Sequence, residues 1–303
     1  MSIDLEEYFQ VSAFDSVVSR SEWENMESRV EESTHLILDL FDGQQVQATF
    51  FVLGWTAERH RALVREIFNR GHEVACHGYS HRLVYRQTPE EFRSETRKAK
   101  ALLEDISGGP VVSYRAASYS VTRQSLWALE ILAAEGFHYD SSIFPVVHDR
   151  YGIASAPRCP FRLRLRDGME LLEFPVSTVR LAGVNLPMAG GGYFRSLPYQ
   201  LTRAAFRRLN VGEHLPVIFY LHPWEFDPEQ PRQAVSGLTR FRHYLNLHRT
   251  EGRFSQLLRD FRFCPLRLRA ETLRCETLTL QDLHSDSAAS PGEAADCRTS
   301  HPE

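Results

Sequence analysis

A chain of 303 residues with 43% hydrophobic and 24% charged residues has the make-up of an ordinary globular protein, long enough for one large α/β domain or two smaller ones. Its net charge of −4 lacks the basic excess of a nucleic-acid binder. No stretch approaches the roughly 18 apolar residues that cross a bilayer, and "MSIDLEEYFQV" has no basic-then-apolar leader pattern, so a cytoplasmic protein is expected.

The chain opens on a strand, "MSIDLEEYF", followed by a helix in "ESRVEESTHLILDLFDG" that Gly43 is placed to end. "QVQATFFVLG" is an apolar strand, "TAERHRALVREIFNRG" an amphipathic helix and "HEVACH" a short strand. The next helix has a capping box: Thr88 caps, Pro89 takes the first helical position and Glu91 answers from the third. "VVSYRA", "TRQSLWALEILAAEG" and "FHYDSS" continue the strand–helix alternation of a parallel sheet or barrel. Residues 146–200 change character to extended segments and loops, including the glycine-rich "LPMAGGGYFRSLPY", and read as an extension over one end of the domain. "YQLTRAAFRRLN", the strand "LPVIFYLH" and the helix "RTEGRFSQLLRDF" close the fold. The expected domain is residues 1–267, with 268–303 a disordered tail rich in small and polar residues. Five scattered cysteines without CxxC spacing argue against a disulfide framework and a thiolate metal site, and Cys76 reads as a buried strand residue.

In parallel α/β folds functional residues gather at the carboxyl ends of strands. Five such ends carry polar groups that a core would not need: "IDLEE" (Asp4, Glu6, Glu7), "CHGYSH" (His77, His81), "SYRAAS" (Arg115), "HYDSS" (Asp140) and "FYLHPWEF" (His222). Asp4 and Glu6, two apart, share one face of an extended strand. His77 and His81 converge if the segment between them turns helical. Two histidines and a carboxylate make a catalytic metal site with open positions, lowering the pKa of a bound water to about 7. The other carboxylate is then free as general base, with Arg115 to orient it, and His222 is free to protonate a leaving group. Trp224, Tyr193 and Phe194 suit either sugar stacking or packing.

"IDLEE", "TFFVLG", "HEVACHGYSH", "YRAASYS", "YDSSIFP" and "YLHPWEF" occur in the order seen in polysaccharide deacetylases of the NodB-homology type, carbohydrate esterase family 4. Over residues 1–265 the chain resembles most the subgroup associated with bacterial exopolysaccharide loci that carry exosortase (PEP-CTERM) sorting systems. The resemblance implies a distorted (β/α) barrel of about seven strands and one divalent metal, zinc first, with cobalt, nickel or iron compatible with the ligand types. Position by position it implies Asp4 as catalytic base, Glu6, His77 and His81 as metal ligands, Arg115 as the residue holding the base and His222 as general acid. Asp140 lies in the motif whose aspartate supports that acid. Three departures stand out: Asp-Leu-Glu-Glu in place of Asp-Asp, which makes Glu7 a competing ligand; Ala117 where proline is common; and Gln10 where the subgroup often has histidine.

The implied activity is hydrolysis of N-acetyl amides on amino sugars of an exopolysaccharide or its precursor, a linear amide substrate, with metal-bound water as nucleophile. The implied partners are an acetylated glycan and exopolysaccharide biosynthesis machinery, met at the inner membrane face through substrate or partners. Two alternatives stand beside it: a cyclic amide hydrolase on the same barrel, and a glycan-binding relative without turnover.

Overall fold

The computed structural model describes residues 1–284. Its strands, in chain order, are β1 (Ser2–Leu5), β2 (Thr49–Val52), β3 (Glu73–Cys76), β4 (Ser113–Tyr114), β5 (Tyr139–Asp140), β6 (Phe161–Arg164), β7 (Glu170–Glu173), β8 (Thr178–Leu181), β9 (Val184–Pro187), β10 (Tyr220–Leu221) and β11 (Thr277–Thr279). Nine of them form one sheet in the order β10-β1-β2-β3-β4-β5-β7-β6-β11. The run from β10 to β7 contains seven strands, all parallel. Beyond β7, Phe174 N donates to Asp140 O and Ser177 N to Ile218 O, and Ile218 N returns a bond to Ser177 Oγ. The last parallel strand thus reaches the segment leading into the first, and the sheet curls into the distorted barrel expected from the motif order.

Side chains alternate across this barrel wall, and the alternation sorts the sequence into two cores. Ile3, Leu5, Phe50, Val52, Val74, Cys76, Phe219 and Leu221 face outward onto helices Val30–Gly43, Arg61–Asn69 and Pro89–Ser107. Phe51, Ala75, Leu172, Phe174 and Ile218 face inward and form a separate cluster, closed below by Leu266, Ala270 and Leu273. The inward set shares its face with Ser2, Asp4 and Arg115, so the barrel interior is apolar below and polar toward the carboxyl ends of the strands.

The capping box at Thr88 forms as read: Thr88 Oγ1 accepts from Glu91 N at 3.2 Å and Glu91 Oε2 from Thr88 N at 2.9 Å. Gly108, at φ +73°, ends that helix. The extended segments of residues 146–200 are β6–β9, followed by a short helix, Gly191–Ser196. One reading needs correction. Residues 268–284 are not a disordered tail: β11 pairs with β6, and Leu273 and Leu283 are buried. These elements are too short for their periodicity to show. The remainder of the expected tail lies outside the described residues. Among the described residues, no helix is long and apolar enough to cross a membrane.

Thr88→Ala removes one partner of the box and should cost about 1 kcal/mol of stability by urea unfolding, without altering the barrel mouth.

Candidate active site

Asp4 and Glu6 leave β1 on the inward face, and His77 follows β3 on the same face. Ligand atoms of Glu6, His77 and His81 lie within 4.8 Å of one another, and all three residues are buried. The segment between the histidines is a loop, not the helical turn considered from sequence. Gly78 at φ +75° and His81 at φ +51° fold it back, and its carbonyls are pinned by Gly54 N, Trp55 N and the Arg20 guanidinium. A β-carbon on Gly54 would sit 2.5 Å from the Tyr79 ring, so that approach requires glycine.

The donor set fits a divalent cation. His77 Nδ1 pairs with the carbonyl of Arg115 at 2.8 Å, which assigns its proton there and leaves Nε2 as an electron-pair donor. Burial holds the His77 imidazole down to about 4, neutral as a ligand must be. His81 Nε2 lies 2.9 Å from Glu6 Oε2, and that buried oxygen has no hydrogen bond of sound geometry. Burial pushes the Glu6 carboxyl up, but the charge and contact of His81, with His222 and His77, outweigh it and bring it to about 2. Glu7 does not compete. It turns to the start of helix Val30–Gly43, where it takes bonds from Ser28 Oγ, Arg29 N and Val30 N. Cys76 faces the outer core, and burial raises its thiol to about 12.

On one flank, Asp4 Oδ1 accepts from Arg115 Nη1 at 2.6 Å. Arg115 is fully buried and also bonds Ser2 Oγ, Ser141 O and Ser141 Oγ. On the other flank, His222 Nε2 lies 4.0 Å from Asp4 Oδ2 and 3.7 Å from Glu6 Oε1.

The carboxylate supporting His222 is Glu225, not Asp140. Glu225 Oε1 accepts from His222 Nδ1 at 2.8 Å and from His222 N at 3.1 Å, while Arg195 Nε holds Oε2 at 2.7 Å. Burial alone would lower the His222 imidazole, but its bond to Glu225 and the charges of Glu6, Glu225 and Asp4 carry it up to about 9. Asp140 sits opposite Tyr114 and Glu173 on the outward face. It accepts from Ser142 Oγ at 2.6 Å, and burial and its carboxylate neighbour Glu173 characterise its surroundings. Its neighbour Ser141 is the residue that points inward. Gln10 also has a local task, accepting from Glu7 N and Thr56 Oγ1.

Glu225, Arg195 and Gly191 were missed from sequence. The available signals were Glu225 three residues after His222, and the glycine run before Arg195. A β-carbon on Gly191 would meet Glu225 Oε1 at 1.9 Å, so only glycine lets that carboxylate in. Trp224 and Phe194 offer no sugar platform: Trp224 is stacked between His222 and His243, and Phe194 is buried against Phe219.

Glu225→Gln should lower the His222 imidazole titration midpoint by about one unit or more, because it removes an opposite charge at contact distance. The stabilised form is the protonated one, so the variant loses that proton at lower pH. Asp140→Asn should leave the midpoint in place. Imidazole titration by NMR reads both.

Residues 14–137 match the family model described as polysaccharide deacetylase, and residues 141–270 match a domain of unknown function, DUF3473. A peptidoglycan-N-acetylglucosamine deacetylase of Bacillus cereus is 36% identical over 77 residues, 25% of this chain and 28% of that protein. A peptidoglycan deacetylase of Helicobacter pylori is 26% identical over 138 residues, 46% of this chain and 43% of that protein. The chain therefore spans less than half the length of these relatives. A crystal structure from Mycobacterium smegmatis superposes with a TM-score of 0.59, covering 89% of this chain and 87% of that one, and at 19% identity it bears on the fold alone. Residues 14–137 are thus similar to polysaccharide deacetylases, and the segment matched by the model of unknown function carries His222, Glu225 and Arg195.

Proposed function

We propose that the chain is a metal-dependent hydrolase that removes N-acetyl groups from amino sugars of a bacterial exopolysaccharide or its precursor. The observation that carries this reading is the convergence of Glu6, His77 and His81 between the Asp4–Arg115 pair and the His222–Glu225 pair. A divalent ion bound there, zinc first, would supply a Lewis acid for the acyl oxygen and acidify a water.

The chain's own residues supply the proton transfers. Arg115 occupies Asp4 Oδ1, which leaves Oδ2 toward the site to take a proton from the attacking water. Glu225 occupies His222 Nδ1, so the transferable proton sits on Nε2. With its imidazole raised to about 9, His222 is protonated at neutral pH, as a general acid must be. A cation on Glu6 would cancel part of that elevation, leaving Glu225 as its main local support. His222 gives its proton to the departing nitrogen as the C–N bond breaks. The new C–O bond leaves acetate, and the sugar keeps a free amine. The exopolysaccharide substrate and contact with biosynthesis machinery are supported by the motif resemblance over residues 1–265.

Elemental analysis should find about one divalent ion per chain in the parent and little in His77→Ala. Acetate release from N-acetylglucosamine oligomers should fall by a factor of about 100 to 10,000 in both Asp4→Asn and His222→Ala. Opening of hydantoin-type rings without acetate release would replace this reading with cyclic amide hydrolysis. Glycan binding with metal but no turnover would make the chain a binding relative.

A further inference from the structure

The Trp224 indole is held from both faces and at its N–H. The ring lies between His222, at 4.9 Å and 19°, and His243, at 4.2 Å and 15°. His243 Nε2 pairs with Gln230 Oε1 at 2.8 Å, and Gln230 Nε2 donates to the Trp224 carbonyl at 2.6 Å. An indole has one donor and no acceptor, and once buried that donor needs a partner. Its partner is Glu6 Oε1, at 3.3 Å. The other oxygen of the same carboxylate, Oε2, is the one turned to His81. Across the site, the Arg115 carbonyl fixes His77 by its Nδ1 in the same manner.

We infer that Trp224 is the positioning residue of the metal ligand Glu6, holding Oε1 so that Oε2 is presented to the cation, and that the segment of unknown function is thereby the second half of the metal centre. The inference rests on the metal-hydrolase reading above. It gives residues 141–270 a task beyond delivering the general acid: His243 stacks on Trp224, Gln230 bonds both, and the indole N–H ends on Glu6, just past β1. Partners that orient a ligand typically govern metal affinity by a factor of about 10 to 100.

The test is zinc affinity, by competition with a chromophoric chelator, for the unmutated protein, Trp224→Phe and His243→Phe. Trp224→Phe keeps an aromatic ring in the stack and loses the N–H; it should bind zinc about 10 to 100 times more weakly. His243→Phe disturbs the far face of the indole without touching Glu6, and its affinity should stay near that of the parent. Parent-like affinity in Trp224→Phe overturns the inference alone. Equal losses in the two variants assign the effect to packing and overturn it too. Absence of zinc binding by the parent overturns the metal reading and this inference with it. A second measurement does not depend on the folding of Trp224→Phe. Of the four tryptophans, one should show its indole N–H resonance moving as zinc saturates the unmutated protein, and not moving in Glu6→Gln. No movement in the unmutated protein overturns the inference.

Discussion

A guanidinium with no exposure to water, that of Arg115, sits inside the barrel, and the site is arranged around it. Its nitrogens hold Asp4 and Ser2 of β1 and Ser141 beyond β5, its carbonyl holds His77 beyond β3, and its Cζ lies 4.1 Å from the centre of the Phe51 ring of β2. Burying a charge is unfavourable unless it is paired and its hydrogen bonds are met, and removing one partner of such a pair typically costs about 3 to 5 kcal/mol. The barrel therefore needs an anion where Asp4 stands and acceptors where Ser2 and Ser141 stand. One residue thus fixes the Asp4 carboxylate through its guanidinium and the His77 tautomer through its carbonyl.

The second organising fact is that the chemistry lies on a seam. His77, His81 and Arg115 lie in the segment matched by the deacetylase model, Asp4 and Glu6 on the strand that precedes it, and His222 in the segment matched by a model without assigned function. His222 enters beside Asp4 because β10 pairs with β1. What raises its imidazole is a short chain of side chains, His222 to Glu225 to Arg195, seated against a glycine that has no room for a side chain. Arg195 in turn donates to the carbonyls of His243 and Leu245, which ties the glycine-rich segment to helix Gly237–Tyr244. The elevated imidazole of His222 and the lowered carboxyl of Glu225 belong to one arrangement: burial pushes Glu225 up, and the charges of Arg195 and His222 bring it back down.

The parallel barrel, the capping box at Thr88 and the residues at the mouth were legible because each rests on a local rule. Two-residue alternation puts Asp4 and Glu6 on one face, and the same rule puts Leu172 and Ile218 inside. Applied strictly, it also separates Asp140 from the site: Tyr139 faces inward with Leu172, so Asp140 must face outward and Ser141 inward. Strand parity outranks motif position there. Short elements such as β11, held by pairing with β6, leave no period long enough to detect.

The sequence by itself determined which side chains crowd the carboxyl ends of the strands, because alternation, caps and turn residues act over a few positions. It determined the likeness of residues 1–265 to deacetylases through the order of those motifs. Tertiary structure alone decided which carboxylate each group meets. Glu7 went to a helix start, Asp140 to the outer wall beside Glu173, and Glu225 to His222 with Arg195 behind it. Apart from His222 and Glu225, three positions apart, those pairings join separate elements, and Trp224 meets Glu6 across 218 positions. They are set by strand order and by which face each wall residue presents, neither of which any local stretch contains.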